Sequence, residues 1–316
     1  MATYGGPDDA ARLTPVEFGA LFRRLRDAAS WGPDDRRGAL NNLTPAYVLA
    51  AVGEVRSGRT VSLAAPIETV ASRDNPEPCS HVLTGEVSDR TVTPGLHFAM
   101  DRLAMNVHGN ADSHIDALCH VIYDGALYNG VDPGTTTPAE GTVLSIDVAR
   151  DGIVGRGVLL DIPRVRGVSW LEPGDHVTAA DLEAAERAQH VRMRTGDLLF
   201  VRVGHRRRRD ELGAWNAAQA RAGLHPTALS LLAERGIAAL GSDGNNDTAP
   251  STTAGVDFPI HVLAINAMGL HLLDYLQFEE LVPLCEQADR WTFLSVIAPL
   301  RLPSATGSPV NPIAIL

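Results

Sequence analysis

The residues of this 316-residue chain whose types could do chemistry crowd into one stretch, Val107-His108-Gly109-Asn110-Ala111-Asp112-Ser113-His114-Ile115-Asp116-Ala117-Leu118-Cys119-His120. Three of the eleven histidines lie here, together with two aspartates. Neutral imidazole and carboxylate are the ligand types that hold Zn²⁺, Mn²⁺ or Fe²⁺. In an extended strand, residues two apart point to one face, about 6–7 Å from each other. His114 and Asp116 can therefore converge on one ion. His108 and His120 each stand six residues from His114, about 20 Å away along a straight strand. For all to share a site, both flanks must bend. Gly109-Asn110 is turn chemistry on one side. On the other, a helical turn would bring Asp116 and His120 together at i,i+4. The blander reading, histidines hydrogen-bonded in a core or lying on the surface, stays open beside a metal or acid/base site.

A few other residues invite a role. Asp243 ends an apolar run beside a Gly/Asn-rich loop, where it could orient a ligand histidine from outside the coordination shell or merely cap a turn. Arg202 ends another buried-type run and could meet an acidic substrate group, though a structural ion pair is the simpler expectation. Cys119 lies within the motif, but its apolar setting disfavours the thiolate a nucleophile needs. Ser113 directly precedes His114 and no G-x-S-x-G elbow occurs, which argues against a serine hydrolase. The run Arg206-Arg207-Arg208-Arg209 reads as a solvated loop, since Asp210 and Glu211 follow at once.

Composition bounds the rest. Hydrophobic content is 45% and the net charge is −11, with a pI near 5.4. A core of ordinary size is affordable. A nucleic-acid role is disfavoured, and the partner expected is a small-molecule substrate. Three cysteines, odd in number and far apart, make no disulfide framework and suit a reducing cytoplasm. No leader-like start is evident. The longest weakly charged apolar stretch, Phe258 to Leu273, is too short to span a bilayer, so no membrane role is expected.

The elements that must position the motif are legible in outline. Thr14-Pro15-Val16-Glu17 is a cap, a first-turn proline and a third-position acid, opening a helix to about Ser30. Thr44-Pro45 opens a second, to about Ser57. Leu96 to Val107 alternates imperfectly and leads into the motif. Asp124-Gly125 marks a hairpin turn, with Leu127 to Gly130 as a strand piece. Gly157 to Asp161, Asp197 to Val203 and Ala238 to Asp243 read as buried strands, separated by helices at 179–189 and 226–235. Leu270 to Leu273 is strand-like, Phe278 to Ala288 helical, and Trp291 to Arg301 a long strand. This alternation predicts an α/β layered domain. No internal repeat or linker divides the chain.

The motif resembles the signature H-x-G-T-H-x-D-x-P-x-H of the cyclase family of metal-dependent hydrolases, which includes kynurenine formamidase and isatin hydrolase. Ser113-His114-Ile115-Asp116 matches T-H-x-D and His120 the last histidine. Asn110 stands where the first family histidine would be, with His108 two residues earlier, and Leu118 replaces proline. A variant of the form H-G-x-x-x-[ST]-H-x-D-A-L-x-H fits better. The similarity runs from about Trp31 to the C-terminus, including Thr306-Gly307-Ser308-Pro309-Val310-Asn311-Pro312. It implies a swivelling β/β/α-type domain over residues 59–316, with a mixed, partly closed sheet and outer helices, preceded by an N-terminal helical arm over 1–58. It implies metal ligands His108, His114, Asp116, His261 and Asp274, with His271 a local competitor to His261 and Asp274 in place of a family glutamate. It implies a pocket role for Trp31 and Asn41, a divalent metal (zinc or manganese), and a homodimer or homotetramer. The activity expected is hydrolysis of a small amide, formamide, lactam or ester, with His120 as the acid/base residue. A metal-assisted cyclase, lyase or dehydratase, or a metal-free binding homologue, is the alternative.

Overall fold

The computed structural model describes residues 12–29, 31–84, 96, 98–135 and 143–316. The first eleven residues of the expected arm and Ser30, the expected end of its first helix, lie outside them. The chain order is α1 (Pro15–Ala28), α2 (Pro45–Val52), β1 (Thr60–Ser62), β2 (Ser80–Leu83), β3 (Asp101–Ala104), β4 (His114–Asp116) and β5 (Ile153–Asp161). Then come α3 (Ile162–Arg166), β6 (His176–Val177), α4 (Ala179–Ala188), β7 (Leu198–Arg202), α5 (His205–Leu212), β8 (Gly223–Leu224), α6 (Ala228–Arg235) and β9 (Ala239–Ser242). The last third holds α7 (Pro259–His261), β10 (His271–Asp274), α8 (Val282–Ala288), β11 (Thr292–Ile297), β12 (Gly307–Pro309) and β13 (Ile313–Ile315).

Nine of these strands form one sheet in the order β1-β13-β11-β5-β7-β9-β10-β4-β12. β5, β7, β9 and β10 run parallel to their neighbours in that series, and the flanking pairs are antiparallel. This is the mixed sheet expected, curled into a half-barrel. The parallel strands are buried along most of their length. Their sequences read accordingly as unbroken apolar runs, since a parallel strand is covered on both faces. β11 stops at Ile297, short of the Arg301 expected, because Pro299 follows and lacks the N–H a ladder needs.

The helices begin where their caps predict. Thr14 and Glu17 close a reciprocal capping box on α1, and Thr178 with Asp181 does the same on α4. α1 buries Phe18, Leu21 and Leu25, the stripe of an amphipathic helix. It packs on α6 and on the π-helical segment 262–267. α2 lies on β5 and β11, so the described part of the N-terminal arm is built onto the body of its own chain. Gly236 ends α6 at φ 67°, a left-handed cap that suits a residue without Cβ.

Three local expectations are corrected. Asp124 and Gly125 do make the turn, at φ 49° and 74°, and Tyr123 bridges Ala126 across it. The following Tyr128–Gly130 is a 3₁₀ turn and not a strand, with Asn129 in the left-handed region. The alternating stretch before the motif yields only the four-residue β3, paired with β2 and exposed along its length. The four arginines lie on helix α5, with Arg206 and Arg208 buried, so they are no solvated loop. Among the described residues, no helix is long and apolar enough to cross a membrane.

Candidate metal centre

β4 is the hub. Its alternation puts His114 and Asp116 on one face, both buried. The antiparallel neighbour β10 sets Asp274 directly opposite His114, and on the other side β12 sets Gly307 opposite Asp116. His261 enters from α7, just before the helix widens into its π turn, a distortion that recurs at functional sites. Both flanks of the motif bend. His108 folds back until its Nδ1 lies 2.8 Å from Asp116 Oδ1. On the other flank a reverse turn, with the His120 N–H on the Ala117 carbonyl, replaces the expected helical turn. His120 stacks on His108 with ring centroids 3.8 Å apart.

All six motif-derived and family-derived positions, His108, His114, Asp116, His120, His261 and Asp274, thus meet in one place. Two ligand groups share Asp116: His108, Asp116 and His120, and His114, Asp116 and Asp274. Within each group the ligand atoms lie within 4.8 Å of one another. His261 Nε2 stands 3.4 Å from Asp116 Oδ2 and 3.5 Å from Asp274 Oδ2.

These residues fit a divalent cation on two counts. Two imidazoles are already oriented as ligands. His114 Nδ1 is held 2.9 Å from the Asp112 carbonyl, leaving Nε2 to face Asp116. His261 Nδ1 is held 2.5 Å from Asp247 Oδ2, leaving Nε2 between Asp116 and Asp274. Fixing one ring nitrogen in this way sets the tautomer of a metal ligand. The second count is charge. Asp116, Asp247 and Asp274 are all buried against the His261 ring, and Asp116 Oδ2 receives no hydrogen bond. Buried carboxylates persist when paired or bound to metal. His108 differs, because both its nitrogens are engaged, the second 2.9 Å from Thr306 Oγ1.

The electrostatics follow from this crowding. Burial alone would raise the Asp116 carboxyl, but the His108, His261, His114 and His120 rings hold it well below the usual carboxylate range. Burial pushes His120 down to about 4, opposed by Asp116 and aided by the neighbouring histidines. His261 is opposite in sign. Burial would lower it, yet Asp116, Asp247 and Asp274 raise it well above an ordinary histidine. Burial pushes the Cys119 thiol up to about 11, so this cysteine is no nucleophile at neutral pH.

Other expectations fall elsewhere. Asp243 does not orient a cluster histidine. Its Oδ1 accepts the Val203 N–H at 2.7 Å, and burial pushes it up to about 6. Asp247 makes the orienting contact instead, and also accepts the N–H groups of Ile260 and His261. His271 is an odd number of residues from Asp274, so strand alternation sends it to the opposite face. Arg202 is tied to Asp161 and Glu279, the structural ion pair. Trp31 and Asn41 line a shallow hollow with Asp35, and Asn41 Nδ2 donates to Asp35 Oδ1 at 2.6 Å. No described contact joins that hollow to the histidines. Asn110, at the first family histidine's position, accepts from the Tyr275 hydroxyl at 3.2 Å.

Sequence reasoning missed the residues that hold the ligands. Asn246 donates to Asp274 Oδ1 through its side chain at 2.6 Å and its N–H at 3.1 Å, and Asn245 donates to Oδ2. Their signal was a polar Gly-Asn-Asn-Asp run directly after an apolar strand. Gly307 was another. A Cβ there would stand 2.7 Å from His108 Cε1 and 2.6 Å from the Ile115 carbonyl. Gly307→Ala should therefore displace His108 and weaken metal uptake about tenfold or more, read by metal titration. Unchanged uptake would mean that the space left at Gly307 does not set the His108 position that the centre needs.

The chain belongs to the family described as "Putative cyclase", whose model matches residues 45–246. Among solved structures, one titled as a novel cyclase is 30% identical at a TM-score of 0.80, covering 93% of this chain and 99% of the other. Isatin hydrolase A from Labrenzia aggregata, bound to benzyl benzoate, is 22% identical at a TM-score of 0.56, covering 84% and 94%. A predicted metal-dependent hydrolase from Bacillus stearothermophilus is 20% identical at a TM-score of 0.50, covering 81% and 97%. Among curated proteins no sequence matches this chain.

Proposed function

We propose that this protein is a divalent-metal hydrolase of a small amide, formamide, lactam or ester. The observation that carries the reading is the convergence of four imidazoles (His108, His114, His120 and His261) and the Asp274 carboxylate around Asp116, with the His114 and His261 rings already oriented by Asp112 and Asp247. His114, Asp116, Asp274 and His261 would hold the ion, zinc or manganese, with His108 beside them. When bound, such an ion supplies Lewis-acid polarisation of a carbonyl and makes water more acidic.

The chain's own residues do the rest. Asp247 keeps His261 Nδ1 occupied, and Asn245 and Asn246 fix both oxygens of Asp274. His120, braced against the His108 ring, takes a proton from the attacking water and passes it to the leaving nitrogen or oxygen. Burial of His114, Asp116, His261 and Asp274 excludes bulk water that would screen these charges, while His108 and His120 stay partly exposed.

The test is elemental analysis of protein purified without chelator, followed by a screen of N-formyl aromatic amines, lactams and cyclic imides. His120→Ala is expected to keep its metal and lose turnover by about 10²–10⁴-fold. His114→Ala, the control, is expected to lose the metal. A His120→Ala enzyme with wild-type kcat would remove His120 from the mechanism. The family description favours one second reading, a cyclisation or dehydration at the same site. Labelled water separates the two, because hydrolysis places its oxygen in the product.

A further inference from the structure

Arg221 is among the largest fully buried side chains, with 2% of its surface exposed. Its guanidinium hydrogen-bonds only to main-chain carbonyls and lies over the Phe258 ring. Nε donates to Asp247 O at 2.9 Å, and Nη1 donates to Ala217 O and Ala218 O at 3.0 and 3.1 Å. Among the described residues no carboxylate pairs with it, and Nη2 donates to no acceptor. The similarly buried Arg156 and Arg202 each reach a carboxylate, whereas Arg206, like Arg221, is held by main-chain carbonyls but does not line a cleft with it. A buried cation without a counter-charge is costly, and a guanidinium is shaped to bind a carboxylate.

Arg221 lines a cleft of about 530 Å³, and three further residues there suit an anionic aryl ligand. Thr253 is 1% exposed, and its buried Oγ1 has no hydrogen-bond partner. Arg12 lies exposed on the same cleft, as does the exposed acid Asp257. Phe258 links the cleft to the candidate metal centre. The Arg221 guanidinium carbon is 5.3 Å from its ring centroid, and the His261 ring packs edge-on to it at 5.7 Å.

We propose that this cleft binds the carboxylate of an aryl substrate, with Arg221 Nη2 and Thr253 Oγ1 as donors and Phe258 against the ring. Calling the ligand a substrate rests on the hydrolase reading, whereas the anion site itself does not. The binding test is accordingly independent of turnover. Benzenesulfonate, an aryl anion that ligates divalent metals poorly, is titrated calorimetrically into the metal-loaded protein beside the neutral methyl phenyl sulfone. The anion is expected to bind at least about tenfold more tightly, the size of one charge-assisted hydrogen bond. Thr253→Val, which keeps shape and removes only the hydroxyl, is expected to weaken the anion about three- to tenfold and leave the sulfone unchanged. Arg221→Met is expected to abolish the preference, and Arg12→Ala to reduce it in a salt-dependent way.

Equal binding of the two probes, binding of neither, or a Thr253→Val protein with wild-type affinity for the anion overturns the site. Should Arg221→Met not fold, the Thr253 and Arg12 variants carry the decision. If the protein also turns over formanilides, 4-formamidobenzoate should show a KM at least about tenfold below formanilide. Thr253→Val should raise the first KM alone, at unchanged kcat. Anion binding without any turnover would retain the cleft and refute the hydrolase reading instead.

Discussion

Asp116→Asn is expected to strip the protein of its divalent ion and of all activity. This carboxylate belongs to both candidate ligand groups, so no subsite survives its loss. Even residues one step removed from a metal typically cost 10–100-fold in affinity when altered, and a shared ligand should cost more, about 10³-fold. The amide is nearly isosteric, which separates charge from packing. In the wild-type protein the carboxyl is held ionised by the histidines around it, so the charge is present throughout the neutral range. Asn cannot supply it, and His261 loses one of the anions that stand 3.4–3.5 Å from its Nε2. The measurement is metal content after dialysis against trace ion, with circular dichroism to show that the sheet persists. An Asp116→Asn protein retaining wild-type metal would falsify the centre as drawn. Asp247→Asn is the graded companion. It should keep the ion but weaken it, because Asp247 only fixes the orientation of His261.

The legible part of this fold was what short-range pattern encodes. Capping threonines at 14, 44 and 178 announce their helices. Unbroken apolar runs announce β5, β7 and β9, because strands covered on both faces cannot alternate. His114 and Asp116 were legible as a pair because strand geometry alone fixes their common face. The distant His261 and Asp274 were reached only through the family resemblance, and most other long-range pairings were hidden. Asp243 and Asp247 are both acids after the same strand, and nothing local says that the second reaches His261 while the first turns to Val203. His261 and His271 are separated only by which face a strand or helix presents. Asn110 could be aligned with a ligand position, yet its partner proves to be Tyr275, 165 residues away. Arg221 looked like any other arginine, since burial without a counter-ion is a tertiary fact.

Arg206→Met should cost more stability than any other substitution in the four-arginine run, by about 3–5 kcal/mol. Arg206 is 3% exposed, and its guanidinium donates to three main-chain carbonyls: Ala111, Tyr275 and Leu276. Ala111 lies just before His114, and Tyr275 directly follows Asp274. One side chain on α5 therefore clasps the approaches to two strands whose registered pair is His114 with Asp274. Methionine fills much of the volume but leaves buried carbonyls with fewer donors, although Ser113 Oγ still donates to Tyr275 O at 2.6 Å. The expected melting point falls by roughly 5–10 °C, and metal affinity falls with it as the two strand ends loosen. Arg207, next in sequence, points out and pairs with Glu211 one helical turn on. Its replacement by alanine should cost about 0.5 kcal/mol or less. Thermal melts of the two variants, with and without added ion, decide the matter. If both melt alike, the buried Arg206 contacts add no net stability, and the approach to the motif is held by something other than α5.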